Sequence, residues 1–129
     1  MNLLDLPTDI MSLIERSKDG VTKAEIKDLQ RRTQLTNEQL ARIVHLTPRA
    51  LQKYELTNAL KPSVSERAIA LAQLYARGFD MMGEERFLRW MNREHVALGR
   101  RKPIDLLDTH FGITLIGDEL GRIEHGVLA

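Results

Sequence analysis

Four short stretches of this chain carry side chains suited to opening an α-helix, and they recur at short intervals. Thr22 with Glu25, Thr36 with Gln39 and Ser63 with Glu66 each place a hydroxyl three residues ahead of Glu or Gln. In that spacing the two side chains satisfy the N–H groups that a first helical turn leaves without partners. Thr47 precedes Pro48, and proline at the first helical position loses no intrahelical bond. No segment alternates apolar and polar residues strongly enough to read as a strand, so the expected fold class is all-α.

Apolar spacing adds further helices. Ile10, Leu13 and Ile14 put an apolar stripe on a short segment after Thr8 that Asp19-Gly20 ends, which reads as a small packing helix. From Val64 to about Met82 the residues Ala68, Ile69, Leu71, Ala72, Leu74 and Tyr75 cover more than one face, as in a central helix touched from several sides; Gly78 either ends it or sits inside it. Phe87, Trp90, Met91 and Leu98 repeat at helical spacing, so Glu84 to about Ala97 is read as a helix with Trp90 in the core, and Met81-Met82 reads as core filler. Pro103 opens a short helix through Leu106 and Leu107 to Gly112, and a last helix runs from about Ile113 to His125. Ile116, Leu120, Ile123 and Val127 form its apolar stripe. Gly117 and Gly121, one turn apart, each cost roughly 1 kcal/mol against alanine in a helix interior, which suggests a close approach by another backbone.

Composition narrows the class. The 129 residues suffice for one or two small helical domains, and 43% hydrophobic with 29% charged residues is the balance of a soluble globular chain. The net charge is only +1, so any nucleic-acid contact depends on a local basic face. There is no cysteine, hence no disulfide and no thiolate site, in keeping with a reducing cytoplasm. No apolar run reaches membrane-spanning length and the first residues lack a basic leader. His45, His95, His110 and His125 are scattered without ligand spacing, and neither a nucleophile elbow nor a phosphate-cradling loop is present. No metal, no cofactor and no enzymatic activity are expected.

Between Asn37 and Leu56 the pattern resembles a helix-turn-helix of the Xre, phage-repressor type. Ala41 and Leu51 stand where two helices cross, with Leu40, Val44, Leu46 and Tyr54 at the other apolar positions. His45 takes a turn position usually held by glycine, where a positive φ is needed; histidine is among the residues that tolerate it. The second helix, from Thr47 to about Glu55, turns Ala50, Leu51 and Tyr54 inward and Arg49, Gln52 and Lys53 outward. Arginine pairs bidentately with guanine and glutamine with adenine, so Arg49 and Gln52 are assigned to bases, Thr47 and Lys53 to backbone or base. Arg42 and Lys61 are further phosphate candidates. The plainer reading is a helical hairpin with a solvated polar face.

From Trp90 onward the chain resembles the C-terminal domain of Xre/MbcA/ParS-type antitoxins. The resemblance rests on Trp90, Ala97-Leu98-Gly99, Pro103-Ile104-Asp105-Leu106-Leu107 and Leu120-Gly121-Arg122-Ile123-Glu124-His125-Gly126-Val127, with Arg100 where a second glycine is frequent. It implies an Xre-type helix-turn-helix bundle packed on a small helical toxin-binding domain. Residues 1–20 would be an N-terminal extension, 21–82 the DNA-binding part and 83–129 the toxin-binding part. It also implies a partner, a RES-domain toxin that consumes NAD, neutralised at its active site. A pocket shaped for pyrophosphate is basic, so Glu119, Glu124 and the carboxylate of Ala129 are the candidate plugs, and Arg122 and His125 the candidates for its rim.

Each tail residue also has a plainer role. Arg122 and Glu124 suit a solvated face, His125 a C-terminal dipole partner, Gly126 a left-handed helix end, and Arg100-Arg101-Lys102 a solvated loop. The expectation is an antitoxin that represses its own operon by binding operator DNA, as a homodimer reading two half-sites. The alternatives are a stand-alone or phage-like repressor whose C-terminal domain only dimerises, and an adaptor that has lost DNA binding.

Overall fold

A computed structural model of the chain describes residues 2–126, and among them every regular element longer than an isolated bridge is helical. The order is α1 (Ile10–Asp19), α2 (Lys23–Thr33), α3 (Asn37–Val44), α4 (Pro48–Lys53), α5 (Pro62–Met82), α6 (Glu84–Met91) and α7 (His110–Gly126), with 3-10 turns at Leu3–Asp5, Val96–Leu98 and Pro103–Leu106. The chain divides into two compact units, Met1–Gln73 and Leu74–Ala129, and α5 runs through the division.

In the first unit the cap chemistry sets the helix starts. Thr22 and Thr36 each form a complete capping box with Glu25 and Gln39, and Thr47 Oγ1 accepts the Ala50 N–H at 3.0 Å ahead of Pro48. Asp9 caps α1, its carboxylate accepting the Ser12 N–H at 3.0 Å. Ser63 does not cap α5: the helix already begins at Pro62, so Ser63 lies in its first turn. The neighbouring Ser65 anchors that end instead. Its buried hydroxyl accepts the Val21 N–H at 2.9 Å and donates to the Leu60 carbonyl at 3.1 Å, satisfying two backbone groups that the interior would otherwise strand. Ile26, Leu29, Leu40, Ala41, Val44 and Leu71 are among the aliphatic residues that fill this core. The stripe read on α1 is not inward: no residue of α1 is buried, and Ile10 is 68% exposed.

The second unit is built around aromatic rings. Phe87 meets Tyr75 and Phe79 edge-on with centroids 5.4 and 5.9 Å away and stacks on Trp90 at 5.8 Å. Burial holds the Tyr75 phenol protonated, well above its ordinary range. Gly78 lies inside α5, where a Cβ would stand 2.2 Å from the Phe87 ring, so the glycine makes room for that ring. The helix after Glu84 is shorter than its apolar spacing suggests; it ends at Met91, and Leu98 reaches the core from a separate 3-10 turn. The turn opened by Pro103 is likewise brief. α7 starts at His110 rather than Ile113, because Thr109 Oγ1 takes the Gly112 N–H at 2.9 Å, and it continues through Gly126, which is not left-handed. Ile116 and Leu120 are buried, Ile123 partly so, and Val127 lies outside the described residues.

Candidate functional site

The first candidate surface is the α3–turn–α4 unit. α3 ends at Val44 because His45 adopts the left-handed conformation, φ 64 and ψ 44, so the turn carries the positive φ expected of it. The Leu46 N–H bonds the Ala41 carbonyl at 2.8 Å, and Arg67 from α5 donates to the Ile43 carbonyl, which closes the C-terminus of α3. Ala41 and Leu51 are both buried, 0% and 7% exposed, at the position of the helix crossing.

α4 is one and a half turns long, Pro48–Lys53, with Tyr54 as its C-cap rather than continuing to Glu55. So short a helix depends on its surroundings. Lys23, which the sequence reading did not single out, supplies them: its ammonium donates to the carbonyls of Gln52 at 2.9 Å and Tyr54 at 2.8 Å. A cation on the last carbonyls both satisfies acceptors and suits the negative end of the helix. The outward face of α4 therefore rests on a fixed backbone. Arg49, Gln52 and Lys53 are exposed, Leu51 is buried, and Ala50 and Tyr54 are half-buried. Thr47 is exposed, with its oxygen engaged in the cap. Arg42, in the last turn of α3, and Lys61, immediately before α5, are exposed as well.

The second candidate surface is α7 with its neighbours in the second unit. Glu119 and Arg122, assigned separately to plug and rim, are bonded to each other: Arg122 Nε donates to Glu119 Oε2 at 3.0 Å, and an η-nitrogen donates to the other carboxylate oxygen. The Arg122 guanidinium holds the Glu119 carboxyl below its ordinary value, against a smaller opposing effect of burial. Glu124 and His125 are exposed, and Ala129 lies outside the described residues. Counting helical turns, Arg122 and His125 share their stripe with Asp118, Leu115 and Phe111. Phe111 is 84% exposed and Leu115 47%, so this stripe is apolar at its first half and polar at its second. The exposure of Phe111 and Leu115 is not legible from spacing, because an apolar residue on a helix is ordinarily assigned to the core.

Contrary to the expected close approach, among the described residues no neighbouring backbone approaches Gly117 or Gly121: a Cβ on Gly117 would meet nothing within 4 Å, and one on Gly121 would meet only the Arg77 side chain, at 3.2 Å. The close backbone approach falls at Gly112, where a Cβ would lie 1.5 Å from the Leu106 carbonyl oxygen. Nor are Met81 and Met82 core filler. Both are half-buried and line a groove of about 490 Å³ with Trp90, Ile123, Arg86, Arg93 and Glu124.

Among the described residues no group of three His, Asp or Glu side chains stands close enough to hold a metal ion, and no helix is long and apolar enough to cross a membrane.

Comparison with known proteins divides the chain in a related way. Residues 12–73 match the family model described as the antitoxin Xre-like helix-turn-helix domain, and residues 77–126 the antitoxin Xre/MbcA/ParS C-terminal toxin-binding domain. The chain is similar to Antitoxin Xre of Yersinia enterocolitica, with 25% identity over 120 residues, 91% of this chain and 81% of that protein. It is also similar to the Prs ADP-ribosylating antitoxin of Sphingobium sp. (strain YBL2), with 28% identity over 134 residues, 95% of this chain and 82% of that one.

Proposed function

This chain carries the two domains of Xre/MbcA/ParS-type antitoxins, and we propose that it neutralises a RES-type, NAD-consuming toxin and represses its own operon. The succession of a helix-turn-helix match and a toxin-binding match in one chain carries this reading. The name of the Sphingobium relative joins an antitoxin to ADP-ribosylation. ADP-ribosyl transfer draws its group from NAD, which supports an NAD-using partner for this chain too.

In this reading α4 enters the major groove, Arg49 and Gln52 contact bases, Thr47 and Lys53 contact backbone or base, and Arg42 and Lys61 neutralise phosphates. Two copies read two half-sites. The exposed stripe of α7, with Phe111 and Leu115 beside the Glu119–Arg122 pair, Glu124 and His125, meets the toxin. The chain acts in the cytoplasm by binding alone, with no cofactor and no catalysis of its own.

Co-expression with the RES toxin of the same operon tests the whole reading. A tight complex, rescue of growth and retention of operator DNA are expected. Operator binding without complex or rescue would leave a stand-alone repressor instead.

A further inference from the structure

The groove lined by Met81, Met82, Trp90 and Ile123 is a second feature of the toxin-binding unit, drawn from α5, α6 and α7. Its floor is apolar and includes two methionines, whose unbranched, polarisable side chains adapt to an inserted surface. Its polar lining residues, Arg86, Arg93 and Glu124, are all solvent-exposed, so they form a rim rather than a buried set of donors that would orient a small molecule.

The rim is electrically lopsided. Among the described residues Arg86 and Arg93 take part in no ion pair, whereas Arg89, between them in sequence, is paired with Glu85 at 3.0 Å. Two unpaired guanidiniums and one carboxylate, Glu124, therefore line the groove around its apolar residues. A second copy docking through the same face would set its own Arg86 and Arg93 against these two and be repelled. An apolar helix face flanked by carboxylates would bury its side chains on the methionines and tryptophan and pair with both arginines.

We propose that this groove seats an acidic amphipathic helix of the toxin, anchoring it beside the α7 stripe. The proposal rests on the toxin-binding reading of residues 77–126. It assigns Arg86 and Arg93 a role in partner choice that is separate from any blocking of the toxin's active site.

The test uses the full chain and the purified RES toxin of its operon. Arg86→Glu combined with Arg93→Glu alters only exposed side chains, so operator affinity should stay within about twofold, while toxin affinity falls about tenfold or more through loss of charge complementarity. A photo-crosslinking residue at Met82 should capture a toxin helix bearing carboxylates. Unchanged toxin affinity in the double variant, or capture of a second antitoxin copy or of a basic toxin segment, would overturn the groove assignment while leaving toxin binding intact. Failure of the unaltered chain to form any complex would overturn the toxin reading itself, and the occupant with it.

Discussion

The Arg77 guanidinium donates a 3.1 Å hydrogen bond to the Gly117 carbonyl, linking α5 to the middle of α7. The same guanidinium lies 3.2 Å from where a Cβ on Gly121 would stand. One exposed, flexible side chain thus lies over the glycine pair of α7.

This arrangement predicts opposite signs for four glycine-to-alanine changes. Gly117→Ala should stabilise by about 1 kcal/mol from helix propensity alone, and Gly121→Ala by somewhat less, since the end of Arg77 can move a few tenths of an ångström. Gly112→Ala, against the Leu106 carbonyl, and Gly78→Ala, against the buried Phe87 ring, should destabilise by about 1–3 kcal/mol or more. Denaturant titration of the four variants checks the order. A destabilised Gly117→Ala would contradict the open surface.

The glycines show where sequence reading reaches and where it stops. Caps at Thr22, Thr36 and Thr47 were legible because each bond closes within three residues, and the positive φ at His45 followed from its place in the turn. Ser63 misled because the start of α5 is set from a distance, by Ser65 bonding Val21 across 44 residues. Whether an interior glycine accommodates a ring, a carbonyl or solvent depends on what packs there. The outward side chains of α4 were legible from helical spacing, but the groove beside Met81 and Met82, and the exposure of Phe111, depend on how three helices meet.

Arg100 gives a prediction of the same kind. It holds φ 63 directly after Gly99 at φ 67, in the loop closed where the Arg100 N–H bonds the His95 carbonyl at 2.9 Å. That geometry explains why glycine is frequent at this position in the resembling family. Arg100→Gly should relieve a left-handed penalty of about 1–2 kcal/mol, partly offset by the greater freedom glycine brings to the unfolded chain. A modest rise in Tm is expected, and a clear fall would contradict the assigned backbone.

The Glu119–Arg122 pair predicts a pH dependence. The Glu119 carboxyl is held below its ordinary value of about 4.5 by the hydrogen bonds from Arg122, so its ionised form is favoured by folding. The contribution is complete above about pH 4.5 and is lost as pH falls below that value through the lowered folded one. Arg122 is largely exposed, so solvent screens the pair and its contribution is small. Glu119→Gln should be slightly less stable than the unaltered chain at neutral pH, and the gap should close in acid. A gap that widens on acidification would refute the pairing.

Arg49→Ala and Gln52→Ala should each weaken operator binding by about 1–3 kcal/mol, the cost of a lost bidentate base contact. Both side chains are exposed, so thermal stability and toxin neutralisation should not change. Fluorescence anisotropy on labelled operator DNA reads the effect. Unchanged affinity in both variants would remove α4 from the DNA interface.

Residues 77–126 match a toxin-binding domain, and on the proposed function they stop an NAD-consuming partner. The most direct measurement follows NAD loss by the purified RES-type toxin proposed as this chain's partner, as the chain is added. NAD consumption should cease once the chain saturates the toxin, and the Arg49→Ala variant should inhibit equally well. Undiminished NAD consumption at saturation would contradict the account.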